Sequence, residues 1–450
     1  MEEKPLFSKR DIWKLLLPLI AEQVLNSFMG TIDTVMVSNI SDAALSAVSL
    51  TNTINSLVIQ MFTAMATGGT VVCAQFIGRN EWKRANEAAR QELLTIAALG
   101  LVLTVACVMY TKPLLLLIFG RTEPLIMENA IAYFRVTSFS FVFFAVYSGS
   151  AALFRAQGNS RFPMTVSMLS NLLNIAGNAV LIFGLRMGVT GAALSTLASR
   201  IFCCVVTTYA LRNKRLAVSV SDYHTIRPNF YLIHMILLVA VPNGIENGMF
   251  QFGKLAVQSS VSTMTTTQIA AQALTAMLEE ANGMAAIGIA LGLVTVVGQT
   301  VGAGRIEEAK GYCRLFFFYV ELALILSCVA TLFLLKPLFA ASALDAEGRR
   351  LCTEMAIAIC VVKPLFWTWS FAPPYAMRAA GDAGFCLVTS TATMWLCRVV
   401  ITTVLIRVFH FGPMGVWIGM FSDWFARGVI YFFRFRSGKW VHPALLRVKG

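Results

Sequence analysis

The sequence predicts an all-α polytopic membrane protein, with twelve transmembrane helices in two six-helix bundles. Three observations carry that prediction. Of 450 residues, 57% are hydrophobic and 13% charged, whereas a soluble domain carries roughly 25% charged residues. Apolar runs such as 93–110 and 315–335 are long enough to cross a bilayer, the second interrupted only by Glu321. They are continuous rather than alternating, which argues against a transmembrane barrel. The chain also repeats itself at a constant offset (242 − 18 = 224): Pro18 meets Pro242, Glu22 meets Glu246, Ala47 meets Ala271, Gln75 meets Gln299, Gly78 meets Gly302 and Ala85 meets Ala309. Gly188 and Gly191 meet Gly412 and Gly415, and a one-residue gap aligns FRAQGN (154–159) with MRAAGD (377–382). Six spans per copy is an even number, so the copies are parallel repeats about an axis along the membrane normal.

In chain order the spans are expected at 12–38, 44–76, 91–111, 126–153, 162–184, 187–211, 231–257, 267–302, 312–335, 350–378, 383–408 and 411–434. The head before the first span is charged and does not read as a cleavable signal. The first span carries Glu22, Asn26 and Asp33 at i, i+4 and i+11, on one helical face. Its two carboxylates lie about 16 Å apart along the axis. The fifth carries Asn171, Asn174 and Asn178 at i, i+3 and i+7, again on one face. The seventh repeats the proline–glutamate pair as Pro242 and Glu246. The second copy is richer in charge, with Lys254, Glu279, Glu280, Glu321, Lys363, Arg398, Asp423 and Arg427 inside spans. Five acids, counting Glu246, against four bases favour a paired network. Asp423 with Arg427 and Lys254 with the Glu279–Glu280 step are the expected pairs. Lysine and arginine concentrate in the head, in 79–90, 155–161, 212–227 and 305–314, and beyond 434. The positive-inside rule therefore places both termini in the cytoplasm of a multi-pass cell-membrane protein. The domain reading is an N-lobe at 1–211, a cytoplasmic linker at 212–230, a C-lobe at 231–436 and a tail at 437–450.

The net charge of +13 follows from these flanking bases and calls for no nucleic acid. Ten cysteines lie mostly in apolar runs without metal-type spacing and read as small buried residues. No phosphate-cradling loop or zinc signature is present, and the four histidines are scattered, so the chain does not read as an enzyme and implies no cofactor. An intramembrane carboxylate costs about 3 kcal/mol on insertion scales, which makes each one a functional candidate.

The chain resembles the multidrug and toxic compound extrusion (MATE) family along nearly its whole length. The residues that carry this are Pro18 with GTIDTVMVSNIS (30–41) and ALSAVSL (44–50), then AQFIGRNEWKRA (74–85) and its second copy VVGQTVGAGRIEEAK (296–310). FRAQGNSRFPM (154–164), MRAAGDAGF (377–385) and NIAGNAVLIFG (174–184) also fit, and VPNGIENGMFQFGK (241–254) looks like a bacterial branch. The resemblance implies twelve helices in a V-shaped pair of bundles, and export of organic cations against inward sodium or protons.

Asp33 matches the family's first-helix aspartate. Desolvation disfavours a bare carboxylate and a bound cation favours it, so one group can hold a proton or sodium. The alternative is a salt bridge to Arg135 or Arg200, the bases inside first-copy spans. Asn174 and Asn178 supply carbonyl oxygens that a hard cation prefers, so Asp33, Asn174 and Asn178 form the candidate sodium site; the alternative is hydrogen bonding between helices. Relatives commonly place aspartate where Asn178 stands. Glu22 and Glu246 are candidate cation sites in each copy, or a duplicated device answering the carbonyl freed by each proline. Relatives carry a seventh-helix glutamate, usually about one turn beyond Glu246. Sodium-coupled relatives often have a carboxylate on the tenth helix, where this chain has Trp367, Trp369 and Ser370.

The substrate-cleft candidates are Asn26, Phe28, Asn171, Asn243, Asn247, Phe250, Lys254, Glu279, Glu280, Trp367, Trp369, Trp395 and Arg398, the aromatic ones because aromatic faces attract organic cations. The resulting expectation is a monomeric, cation-coupled multidrug exporter in the bilayer that works on small organic cations by alternating access. A lipid-linked oligosaccharide flippase of the same superfamily and a non-transporting receptor or scaffold are the rival readings.

Overall fold

The computed structural model describes residues 5–120, 123–221, 227–341 and 344–441. The centre of the expected linker (222–226) and the tail from position 442 onward lie outside the described residues. The chain is helical throughout these: α1 Lys9–Ser38, α2 Asp42–Gly78, α3 Trp82–Met109, α4 Thr111–Phe119, α5 Pro124–Phe139, α6 Phe141–Ala156, α7 Arg161–Asn178, α8 Gly188–Ala210, α9 Phe230–Val261, α10 Thr266–Gly302, α11 Ile306–Ala341, α12 Ala346–Ala379, α13 Ala383–Thr393, α14 Thr402–Arg407 and α15 Met414–Arg436. Short π-helical segments, Ala179–Gly184 and Met394–Ile401, continue α7 and α13.

The repeat is visible in the backbone. Ser41 caps α2 by accepting from the Ala44 N–H at 3.1 Å, and Thr265 caps α10 in a reciprocal box with Gln268. These side chains satisfy amide donors that a first turn leaves open. Both helices have 37 residues. Each is followed by a left-handed residue, Asn80 at φ 60° and Gly304 at φ 77° (304 − 80 = 224). The same offset relates Arg186 to His410, both at φ 53°, and Gly188 to Gly412. A glycine is also required for close approach. A Cβ on Gly191 would come within 3.1 Å of Leu181, and one on Gly415 within 3.2 Å of Leu405.

The chain divides into two compact units inside α9, one of Trp13–Gly244 and one of Ile245–Gly450 joined by Met1–Ile12. Within the first, α2 packs on α3, α5 and α6; within the second, α10 packs on α11 and α12. The Leu6 N–H binds Glu308 at 2.7 Å and the Phe7 N–H binds the Tyr312 hydroxyl at 2.8 Å, which fastens the N-terminal residues to α11.

Among the described residues, ten helices are long and apolar enough to span a bilayer, and α5 with α6 makes an eleventh, bent by 44°. The twelfth is α15: its 23 residues reach about 34 Å at 1.5 Å per residue, but Asp423, Arg427, Arg434 and Arg436 mask it on hydropathy. The helices outrun the apolar runs. Here α3 starts at Trp82 rather than 91 and α11 at Ile306 rather than 312, because amphipathic polar turns continue the helix past the apolar boundary. The bend in the fourth span was not anticipated. At Ser140 the hydroxyl binds the Thr137 carbonyl at 2.5 Å, and the Val142 N–H turns to Thr104 of α3 at 3.2 Å, interrupting the ladder. The short α4 was not anticipated either.

Candidate functional site

Asp33 sits on α1 and Asn178 ends α7, immediately before the π-helical turn. The Asn178 amide nitrogen donates to Asp33 Oδ1. Asn174 lies one turn earlier on the same face. With its amide nitrogen toward α1, it donates to Asp33 Oδ1 at 3.0 Å and accepts from the Thr196 N–H at 3.3 Å. Three sequence-predicted residues therefore converge. Asn178 is fully buried, and its Oδ1 has no hydrogen-bond partner. An orphaned carbonyl oxygen beside a carboxylate is the donor set that a hard cation fits. Asp33 also lines a cavity of about 510 Å³ with Gly30, Thr34, Ser46, Ser49 and Asn52.

Arg200, one of the alternative partners of Asp33, spends its hydrogen bond on another group. Arg200 donates to Ser140 Oγ at 2.7 Å and lies 5.0 Å over the Phe144 ring. No base forms an ion pair with Asp33 among the described residues. The repeat shows that the fold does not need an acid here. At Asp33's position the second copy has Val257 (257 − 33 = 224), buried in an apolar cluster with Val261, Ile406 and Val416. Val37, Ile182 and Ala192 hold the matching cluster in the first copy (261 − 37 = 224).

Glu22 and Glu246 prove to be paired, which corrects their reading as open cation sites. Arg155 donates to Glu22 at 2.6 Å, and Arg378 donates to Glu246 at 2.7 Å. Both arginines belong to the aligned FRAQGN and MRAAGD turns, so the ion pair itself is duplicated. A carboxylate already matched to a guanidinium offers a cation less, although Glu22 keeps one buried oxygen, Oε2, without a hydrogen bond.

The expected second-copy pairing also changes. Glu279 binds Lys363 rather than Lys254: the fully buried Lys363 ammonium donates to the Glu279 carboxylate at 2.7 Å and to its backbone carbonyl at 2.8 Å. Asp423 and Arg427 pair through two bonds of 2.8 and 3.0 Å. Phe250, Lys254, Glu279, Glu280, Trp367 and Arg398 line one cavity of about 410 Å³.

The remaining cleft candidates do not join either cavity. Asn171 and Ser167 both donate to Asn26 Oδ1, at 3.2 and 3.0 Å. Phe28 is exposed on α1, consistent with a lipid-facing ring. Trp369 packs edge-on against Phe317 and Phe432, and Trp395 lines neither cavity, nor do Asn243 and Asn247. Helical periodicity marks one face of a helix but not which neighbour that face meets.

The sequence reading passed over Glu92, which is fully buried on α3 with neither carboxylate oxygen hydrogen-bonded. A Cβ on Gly69 would overlap its side chain, so that glycine makes its space. The signal in the sequence is an acid one residue inside the span expected at 91–111.

Residues 18–180 and 242–404 match the MatE family model, with the two segments separated by the repeat offset (242 − 18 = 224). Uncharacterized transporter YisQ of Bacillus subtilis strain 168 is 27% identical over 455 residues, covering 98% of this chain and 97% of its own. The "Probable multidrug resistance protein NorM" of Thermotoga maritima is 27% identical over 442 residues, covering 97% and 94%. Among solved structures, a MOP superfamily transporter from Pyrococcus furiosus matches with a TM-score of 0.85 at 19% identity, over 98% of this chain and 97% of that one. An outward-facing multidrug resistance MATE family transporter matches with a TM-score of 0.84 at 19% identity, over 95% of each. At such identities the likeness is one of fold.

Proposed function

This chain belongs to the MatE family, whose members are transporters rather than enzymes, and on that premise we propose a secondary-active multidrug exporter that exchanges small organic cations for sodium or protons by alternating access. The observation that carries the coupling is Asp33, held by Asn178 and Asn174 beside a cavity, at a position where the second copy does without an acid. In this reading Asp33 takes the cation. Sodium at the site draws on the orphaned Asn178 Oδ1 and requires Asn174 to turn its oxygen inward. A proton needs only the carboxylate. Release on the other side follows if the two access states differ in affinity for the ion. Glu22 and Glu246 leave the coupling set and serve as a duplicated structural pair.

The reading keeps the two lobes, 1–211 and 231–436, the linker 212–230, the tail 437–450, cytoplasmic termini, the cell membrane and a monomer. Expression in a bacterial host lacking its own drug pumps tests it. Ethidium efflux and raised fluoroquinolone resistance are expected. Absent drug efflux together with changed lipid-linked glycan supports the flippase instead.

A further inference from the structure

The cavity in the second unit holds basic groups for which cation coupling has no task. Glu279 is committed to Lys363, and Asp423 to Arg427. Of the charged residues lining the cavity, that leaves Lys254 and Arg398 facing a single other acid, Glu280. Lys254 forms no ion pair among the described residues, and its ammonium lies 5.3 Å over the Phe250 ring. The Arg398 guanidinium lies 5.4 Å over the same ring. Arg398 donates to the Met420 sulfur at 2.8 Å, a weak acceptor, and its Nε is buried without a partner. Trp424, only 1% exposed, lines the same cavity with its indole N–H unpartnered. The cavity thus sets two free bases and an unpartnered indole donor against one free acid, Glu280, and both cations are drawn to one ring.

We propose that this cavity binds an aromatic carboxylate, with the acid between Lys254 and Arg398 and the ring against Phe250 and Trp367. A carboxylate accepts about four hydrogen bonds, which matches the donor surplus, and it relieves the repulsion between the two bases. A cavity of about 410 Å³ falls within the roughly 300–1,000 Å³ range of small-molecule sites. An organic cation fits less well, because two free bases face it against the one free acid, Glu280. As a substrate subsite the proposal rests on the exporter reading and narrows its substrate class: one half of the protein selects an acid, so aromatic acids and zwitterions become substrates beside cations. The binding itself stands apart from transport.

The test uses the purified full chain in detergent and tritiated 2-naphthoate. Saturable binding is expected, displaced by unlabelled 2-naphthoate and at least tenfold less well by 2-naphthylmethylammonium or the methyl ester of the acid. Lys254→Gln and Arg398→Gln should each weaken 2-naphthoate about tenfold or more, the scale of a lost charge-assisted hydrogen bond, with unchanged melting transitions. Because Lys254 is exposed to the cavity, its replacement leaves packing intact and keeps the test readable if the arginine variant does not fold. Equal displacement by acid, ester and cation overturns the proposal, as does wild-type affinity in both variants. A chain that exports ethidium but binds no 2-naphthoate loses the subsite and keeps the exporter; one that binds 2-naphthoate and exports nothing keeps the subsite and loses the exporter.

Discussion

Removing Arg378 separates a structural from a coupling role for the duplicated carboxylates. The Glu246–Arg378 pair spans 2.7 Å with side chains 10% and 11% exposed. Taking away one partner strands a buried charge, a change that costs about 3–5 kcal/mol, whereas replacing both partners with apolar groups is close to neutral. Arg378→Met is therefore expected to destabilise the protein by about 3–5 kcal/mol, and Glu246→Leu/Arg378→Met to recover most of that loss. In the first copy Arg155 is 26% exposed against 4% for Glu22, so water screens that pair more and Arg155→Met should fall near the lower end, about 3 kcal/mol. Unfolding of purified protein by sodium dodecyl sulfate, followed by tryptophan fluorescence as a double-mutant cycle, reads these values. The reasoning fails if Glu246→Gln unfolds like the wild type while gradient-driven export is lost, because that is the signature of an ion-coupling acid.

Three other outcomes follow from particular contacts. Gly69→Ala drives a methyl into the Glu92 side chain and should cost about 1–3 kcal/mol, relieved by Glu92→Ala in the same chain; a melting transition unmoved by either change refutes the packing. Trp417→Phe removes the 2.8 Å bond to buried Gln272 and should cost about 1–3 kcal/mol for the stranded acceptor, and unaltered stability counts against that bond. Asn178→Leu takes the hydrogen bond from Asp33 and should slow ion-driven export on the order of tenfold, the scale of a lost bond to a charged group. Rates like the wild type remove Asn178 from the site.

The fold was legible because duplication is a property of the sequence. An offset seen in Pro18 and Pro242 reappears in caps, left-handed residues and the two family-model segments. The bend at Ser140 was not legible, since it depends on Thr104 arriving from another helix. At the candidate site, Asp33, Asn174 and Asn178 could be singled out because each is a costly polar residue on an apolar helix, and the structure brings their side chains together. The partners of Glu22 and Glu246 were missed: Arg155 and Arg378 lie 133 and 132 residues away, in turns that the positive-inside rule places at the cytoplasmic face. Lys363, inside a span 84 residues from Glu279, takes that acid from Lys254, a choice that spacing along the chain does not make. Periodicity places a charge on a face, and only packing chooses between two possible counterions.

The central claim is that Asp33 couples an ion gradient to export, and its most direct test is transport in proteoliposomes under imposed sodium or proton gradients, applied separately. Wild-type protein should move ethidium in response to at least one of them, and Asn at position 33 (Asp33→Asn) should abolish that response while binding of ethidium persists. Gradient-driven transport that survives Asp33→Asn undiminished contradicts the claim.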